Sequence, residues 1–254
     1  MNKDFITATP DSGGSGTTTV TVVASANSGN ARTTTLNIGG GGITRNISIS
    51  QAKFDGRDPS SAPNGVYIQR SNGKLYLVNE WNTAWNNEVN GVAVKGYGSS
   101  FVIAPTAAPS IKWGLNTSLV DMSSTTDNED EAKEDYDGMY NTDQIIAKFG
   151  TSSSIQYAAL YCSNYTFKNG KEGFLPALGQ LNKINENVIE IDACMSKING
   201  TLIVLSTNTN YWSSTQRNAS NAWSFKFGTT NSVTSSYKTQ TLDTLITRPV
   251  CSLY

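Results

Sequence analysis

The sequence predicts an α+β chain in which a short all-β segment precedes a larger mixed domain. Three observations carry that expectation. Val, Ile and Thr alternate with polar residues from Thr17 to Gln51, apolar residues recur at helical spacing between Ile145 and Ile184, and an aromatic skeleton runs through the Ser, Thr and Asn tract from Tyr211 to Val250. At 254 residues the chain is long enough to bury a sizeable core in one large or two ordinary domains.

The first segment reads TTTVTVVASANSGNARTTTLNIGGGGITRNISISQ, three strand-like runs separated by asparagine and glycine turns. Its alternation places Val20, Val22, Leu36, Ile38, Ile47 and Ile49 on the core face of an antiparallel sandwich. Residues 54–64, rich in Asp, Ser, Pro and Gly without an apolar face, are expected to form a linker between residues 1–53 and a second domain at 65–254. That domain opens with GVYIQRSNGKLYLVNEW, two alternating runs about a Ser71-Asn72-Gly73 turn. A strand FVIA ends before Pro105. Helical spacing follows at Ile145, Ile146 and Phe149, then at Ala158, Ala159 and Cys162, and a third helix is predicted behind Pro176 on Leu178, Leu181 and Ile184.

Composition excludes several functions. Charged residues are 15% of the chain, its formal net charge is −1 and no stretch is strongly basic, so nucleic-acid binding is not expected. No apolar run reaches the ~18 residues of a membrane helix, so no membrane insertion is expected. Met1 to Gly16 lacks the apolar core of a secretory signal, which leaves two readings open: a trimmed sequence, or exit within an assembled particle. There is no histidine, the commonest general base and transition-metal ligand. Cys162, Cys194 and Cys251 lack metal-site or redox spacing. Seven carboxylates lie between Asp127 and Asp137, but without the glycine and terminal glutamate register of an EF-hand, so they are expected to form a solvated loop. No enzyme, metal or cofactor is expected.

Two resemblances sharpen the expectation. FITATPDSGGSG, NSGNARTTTLNI and NISISQ resemble the mid-domain turn, central hairpin and closing strand of a BACON domain, an Ig-like module of Bacteroidetes surface proteins. The opening strands of that module are absent, which implies an unpaired edge. From Gly65 onward the ordered series GVYIQ, GKLY, NGVAV, FVIAP, KWG, DYDG, AALYCSNYTFKNGKEGFLPALGQL, YWSST, NAW and TRPV resembles the C-type-lectin fold of variable proteins from diversity-generating retroelements, including phage tail adhesins of gut Bacteroides.

That resemblance implies a receptor-binding adhesin, at a phage tail fibre tip on the virion, that recognises a bacterial cell-surface protein or glycan. The alternative it leaves is a secreted surface adhesin or carbohydrate-binding module. Oligomeric state stays open, a homotrimer being common in such fibres. In strand 222–227, Trp223, Phe225 and Phe227 would face the core while Ser224 and Lys226 face outward. The implied variable, ligand-binding positions are Arg217, Ala219, Ser220, Ser224, Lys226, Thr230, Ser232, Thr234, Ser236, Tyr237, Thr239, Thr241 and Asp243. Trp212 and Trp223 belong to the scaffold on this reading, and a Cys162–Cys251 bridge would join a helix to the last strand.

Overall fold

The computed structural model describes residues 2–25, 27, 29–96, 98–108, 110–152, 156–206, 208–228, 233–241 and 245–254. The chain is mixed α/β, mostly sheet, and divides into two compact units, Met1–Gly56 and Arg57–Tyr254.

The first unit is a pair of small antiparallel sheets. β1 (Asn2–Lys3), β2 (Ile6–Thr9) and β3 (Thr21–Ala24) form one, and β4 (Arg32–Gly40) with β5 (Ile43–Gln51) forms the other. The glycine hairpin is present: Gly41 and Gly42 take φ of 57° and 80°, the left-handed region that a two-residue turn between twisted strands requires. Phe5, Ile6, Ala8 and Leu36 form the core, Ile49 packs against it, and the Arg32 guanidinium caps the Phe5 ring at 4.4 Å. FITAT, expected as a turn, supplies strand β2 because Ile6 and Ala8 alternate inward.

The core-facing assignment holds only for part of its set. Leu36 is buried and Ile49 half-buried, whereas Val20, Val22, Ile38 and Ile47 remain 38%, 38%, 45% and 46% exposed. They do lie on the inner faces, since Val22 is paired with buried Ala8, and Ile38 lies two residues along β4 from buried Leu36. Two short sheets do not reach far enough to cover them.

The second unit begins earlier than the predicted linker ends. Arg57 pairs with Leu75 and its guanidinium bonds the Glu80 carboxylate, Lys74 meets Asp58 at 2.8 Å, and Ala62 is buried, so residues 57–62 are docked rather than extended. Its larger sheet contains β6 (Gly65–Arg70), β7 (Leu75–Tyr76), β8 (Val89–Lys95), β9 (Ser100–Ile103) and β14 (Val250–Ser252), in the order β14-β9-β8-β6-β7. Thus the unit's first and last strands share one sheet. Gly91 is needed on β8, because a Cβ there would meet the Ile103 carbonyl at 2.3 Å. A 3-10 turn at Thr83–Glu88 brings Trp81 and Trp85 edge to face beside Tyr76.

Helices α1 (Glu129–Lys133), α2 (Gly138–Phe149), α3 (Ala158–Ser163), α4 (Leu178–Glu186) and α5 (Val188–Lys197) fill the middle of the chain. The spacing found α2, α3 and α4 but not the short α1, nor α5, which Asn187 separates from α4. α1 also explains part of the acidic run: the Asn128 side chain caps it by accepting from Asp130 N, and Glu129, Asp130 and Glu131 sit at the positive end of its dipole.

The smaller sheet, ordered β12-β11-β10-β13, comprises β10 (Asn210–Gln216), β11 (Asn221–Phe225), β12 (Val233–Tyr237) and β13 (Leu245–Ile246). Trp212, Ala222 and Leu245 from it pack with Trp113, Ile145, Tyr157, Ala159 and Leu175 in a single core cluster. All three cysteines are buried free thiols, so the expected Cys162–Cys251 bridge is absent; the two belong to different core clusters. Burial pushes the Cys194 and Cys251 thiols up to about 12 and Cys162 well above its ordinary value, which keeps them protonated and unreactive.

Candidate ligand-binding surface

β10 is built from NYWSSTQ, a strand in which Ser213, Ser214, Thr215 and Gln216 are as buried as Tyr211 and Trp212. Three indoles anchor its surroundings through backbone carbonyls: Trp212 Nε1 donates to Ile111 O at 2.8 Å, Trp113 Nε1 to Ser213 O at 2.7 Å, and Trp223 Nε1 to Thr126 O at 2.9 Å. With every N–H paired and the rings enclosed, Trp212 and Trp223 are scaffold rather than a stacking platform.

The hydroxyls of this strand are structural too. Asp135 Oδ2 accepts from Thr215 Oγ1 at 2.7 Å and Asn141 Nδ2 at 2.8 Å, and its Oδ1 accepts from Asp137 N at 2.9 Å. Thr215 Oγ1 in turn accepts from Leu178 N at the start of α4, and Ser213 Oγ donates to Trp223 O. The DYDG and YWSST stretches are therefore two halves of one buried polar network that stitches β10 to α2 and α4. The acidic run has no common target: Asp135 enters this network, Glu129 pairs with Lys133, and Asp127 pairs with Arg217.

On β11 the aromatic alternation is as expected on one side. Phe225 and Phe227 are fully buried, their rings 5.1 Å apart, and Phe227 packs edge-on to Tyr211 at 4.8 Å. The other side departs from expectation, because Ser224 is also fully buried, at 0% exposure. It lies opposite Trp212 on β10 and Thr234 on β12, on the face that packs into the core cluster. A central strand covered on both faces has no display side, and the Ser224 hydroxyl has no hydrogen-bond partner among the described residues. Lys226 is half-exposed, beyond the end of β11 and next to Phe227, which bridges to Leu205.

The remaining positions gather at one end of the sheet. Arg217, Ala219 and Ser220 form the half-exposed β10–β11 turn; Thr234 and Ser236 are half-exposed on the edge strand β12; Tyr237 is 62% exposed; Thr239 and Thr241 follow, exposed. The turn and the end of β12 are held side by side. Arg217 Nη1 donates to Ser235 Oγ at 2.9 Å, Lys238 N donates to Ser220 O at 3.0 Å, and Asn221 pairs with Tyr237. Asn218 Oδ1 shapes the turn by accepting from the Ser220 and Asn221 amides at 3.0 and 2.9 Å. Thr230, Ser232 and Asp243 lie outside the described residues.

Two residues of this surface escaped the sequence reading. Asp127 fixes Arg217 through its Nε at 2.9 Å while the guanidinium lies over the Trp223 ring at 5.0 Å, so the only cation among the turn residues is oriented and partly neutralised. Lys238 is wholly buried between exposed Tyr237 and Thr239. Its ammonium donates to Ser118 O at 2.9 Å and Gln216 Oε1 at 2.5 Å and sits 4.8 Å from the Trp113 ring centre. Burial lowers its pKa to about 8. Continuing the β12 alternation, outward at Tyr237 and inward at 238, would have flagged Lys238 as a core anchor. The arrangement offers small hydroxyls, a fixed guanidinium and an exposed phenol on a rigid base, a surface suited to recognition by contact.

Comparison with known proteins bears on the first unit. Residues 2–52 match the profile of the BACON family, described as "Putative binding domain, N-terminal". No curated protein matches the chain. Among solved structures, a fimbrial protein from Bacteroides ovatus aligns over 75% of this chain at 13% identity with a TM-score of 0.42, and this chain spans 49% of that protein's length.

Proposed function

We propose that the chain is a non-enzymatic receptor-binding adhesin whose contact surface is the β10–β11 turn together with β12 and the residues after it. The finer reading follows the motif resemblance: residues 65–254 are organised as a C-type-lectin-like domain carrying one realised variant of a diversified surface, borne at a phage tail fibre tip and directed at a bacterial surface protein or glycan. One observation carries it. Ala219, Ser220, Tyr237, Thr239 and Thr241 reach solvent while the indole anchors, the Asp135 network and the Arg217 and Asn218 contacts that hold the turn use other side chains, so these positions can change without unmaking their support. Ser224 is no part of the surface. The BACON match supports the broader form of the proposal, a surface-binding protein, and with it the alternative of a secreted adhesin or carbohydrate-binding module.

The test is a block replacement of Ala219, Ser220, Tyr237, Thr239 and Thr241, leaving Arg217, Ser235 and Lys238 in place. Binding of the purified chain to a panel of Bacteroides cells is scored beside its thermal melting. Altered or lost binding with an unchanged melt is expected; binding that persists unchanged would move the contact surface elsewhere.

A further inference from the structure

We infer that the outer edge of β5 is a self-association site, at which a second copy of this chain pairs its own β5 antiparallel about Ile47. The inference concerns the first unit alone and is independent of the proposed contact surface.

The hairpin register fixes which backbone groups are free. Gly40 and Ile43 flank a two-residue turn and exchange hydrogen bonds, as do Ile38 with Arg45, Leu36 with Ile47, Thr34 with Ile49 and Arg32 with Gln51. The amides and carbonyls of Thr44, Asn46, Ser48 and Ser50 therefore point away from β4, and β5 pairs with β4 alone among the described residues. The free edge has a defined end, because Asn27 Nδ2 already caps Ala52 O at 2.6 Å. Long edges of this kind are usually blunted by proline, bulges or inward charges; no proline or bulge interrupts Thr44–Ser50, and Arg45 is its one charge on the core face. Beside this edge, Ile43 and Ile47 are 61% and 46% exposed on the core face, and a cleft of about 540 Å³ opens between the sheets, lined by Ala8, Val20, Leu36, Ile38, Ile43 and Arg45.

A second copy fits this edge in one register better than in its neighbours. Centred on Ile47, antiparallel pairing sets Thr44 against Ser50 and Asn46 against Ser48, engaging both backbone groups of all four outward residues in each copy. Ile47 then meets its own symmetry mate at a close non-hydrogen-bonded position, Arg45 lies opposite Ile49, and Ile43 opposite Gln51. Centring on Arg45 would instead set two guanidiniums face to face, and centring on Asn46 or Ser48 leaves an outward residue unpaired or facing the capped Ala52 carbonyl. The result is an isologous interface in which Ile47 of both copies meets at the axis, and Ile43, Ile49 and the Arg45 stems flank it on the same face.

The experiment uses the full chain. Sedimentation over a concentration series is expected to show a particle of twice the 27.3 kDa chain mass. Ile47→Cys should cross-link to itself on mild oxidation, since paired Cα atoms at such a position lie ~4.5 Å apart, within disulfide range. Thr44→Cys should not, its symmetry mate lying about 20 Å away along the strand. The native thiols are buried and do not compete. Ser48→Pro removes one outward amide and Ile47→Lys places like charges across the axis; each should abolish the dimer with the melting temperature of the second unit unchanged. A monomeric wild-type chain, a trimer, or a dimer that survives both substitutions overturns the proposal.

Discussion

Replacing Lys238 by methionine should change how stability depends on pH by a calculable amount. The folded lysine has its pKa lowered to about 8 by burial, against 10.5 for the free side chain. The unfolded chain therefore binds more protons than the folded one between about pH 8 and 10.5, and this group's contribution to stability rises with pH across that window. Below pH 8 both states are protonated and the folded protein bears the full cost of holding the ammonium in the core, at most about 3 kcal/mol, offset by the Ser118 and Gln216 carbonyls and the Trp113 ring. Integrating the linkage relation from pH 7 to pH 9 gives the wild type on the order of 1 kcal/mol relative to K238M. The three buried thiols act in the opposite sense above their ordinary pKa, because the folded chain retains protons that the unfolded chain releases. They are common to both proteins and cancel in the difference. Urea unfolding of both proteins at pH 7, 8 and 9 under reducing conditions is the assay. The offset between the two at pH 7 reflects packing and lost hydrogen bonds; its change with pH reflects the amine alone. An offset constant to within about 0.4 kcal/mol would refute the assignment of Lys238 as a desolvated core cation.

Ser224→Ala removes a buried hydroxyl that has no partner among the described residues, so it should be neutral or stabilise the fold by up to about 1 kcal/mol and leave cell binding unaltered; a binding defect in a normally folded variant would restore Ser224 to the contact surface. Asp135→Ala strips the acceptor from Thr215, Asn141 and the Asp137 amide at once and should cost about 3 kcal/mol in urea unfolding. A loss below about 1 kcal/mol would show that the network is dispensable. A thiol reagent should label no cysteine in the native chain and three after denaturation without reductant, and melting should not respond to reductant; labelling of fewer than three would revive a bridge.

The sequence disclosed elements wherever one period dominated. The Ser71-Asn72-Gly73 turn, the glycine hairpin and helices α2, α3 and α4 each rest on a local signal, a left-handed glycine or an apolar stripe, that tertiary packing did not need to override. α5 was hidden because Val188, Ile189 and Ile191 carry strand-like preferences that only its packing reverses. The exposure of Val22 and Ile38 was illegible for a different reason: alternation tells which face a side chain takes, but not whether a second layer reaches it.

The same distinction governs the candidate surface. Period-two alternation assigns opposite faces to Phe225 and Ser224, and that much is true of β11; the inference that the polar face is wet requires a sheet open on one side. Here both faces are packed, so the hydroxyls of Ser213 and Thr215 act as hydrogen-bonding parts of the interior, and freedom from the core is found where the sheet ends. Exposure accordingly follows distance from the centre of the sheet: Ser224 on the central strand is sealed, Ser236 on the edge strand is half-open, and Tyr237 at that strand's end projects into solvent. Lys238, the next residue, turns back to Gln216 and Ser118 and holds the last exposed strand to the core. If this is the contact surface, substitution at its rim is expected to leave the fold intact, because its fixed points alternate with its free ones along a single short segment.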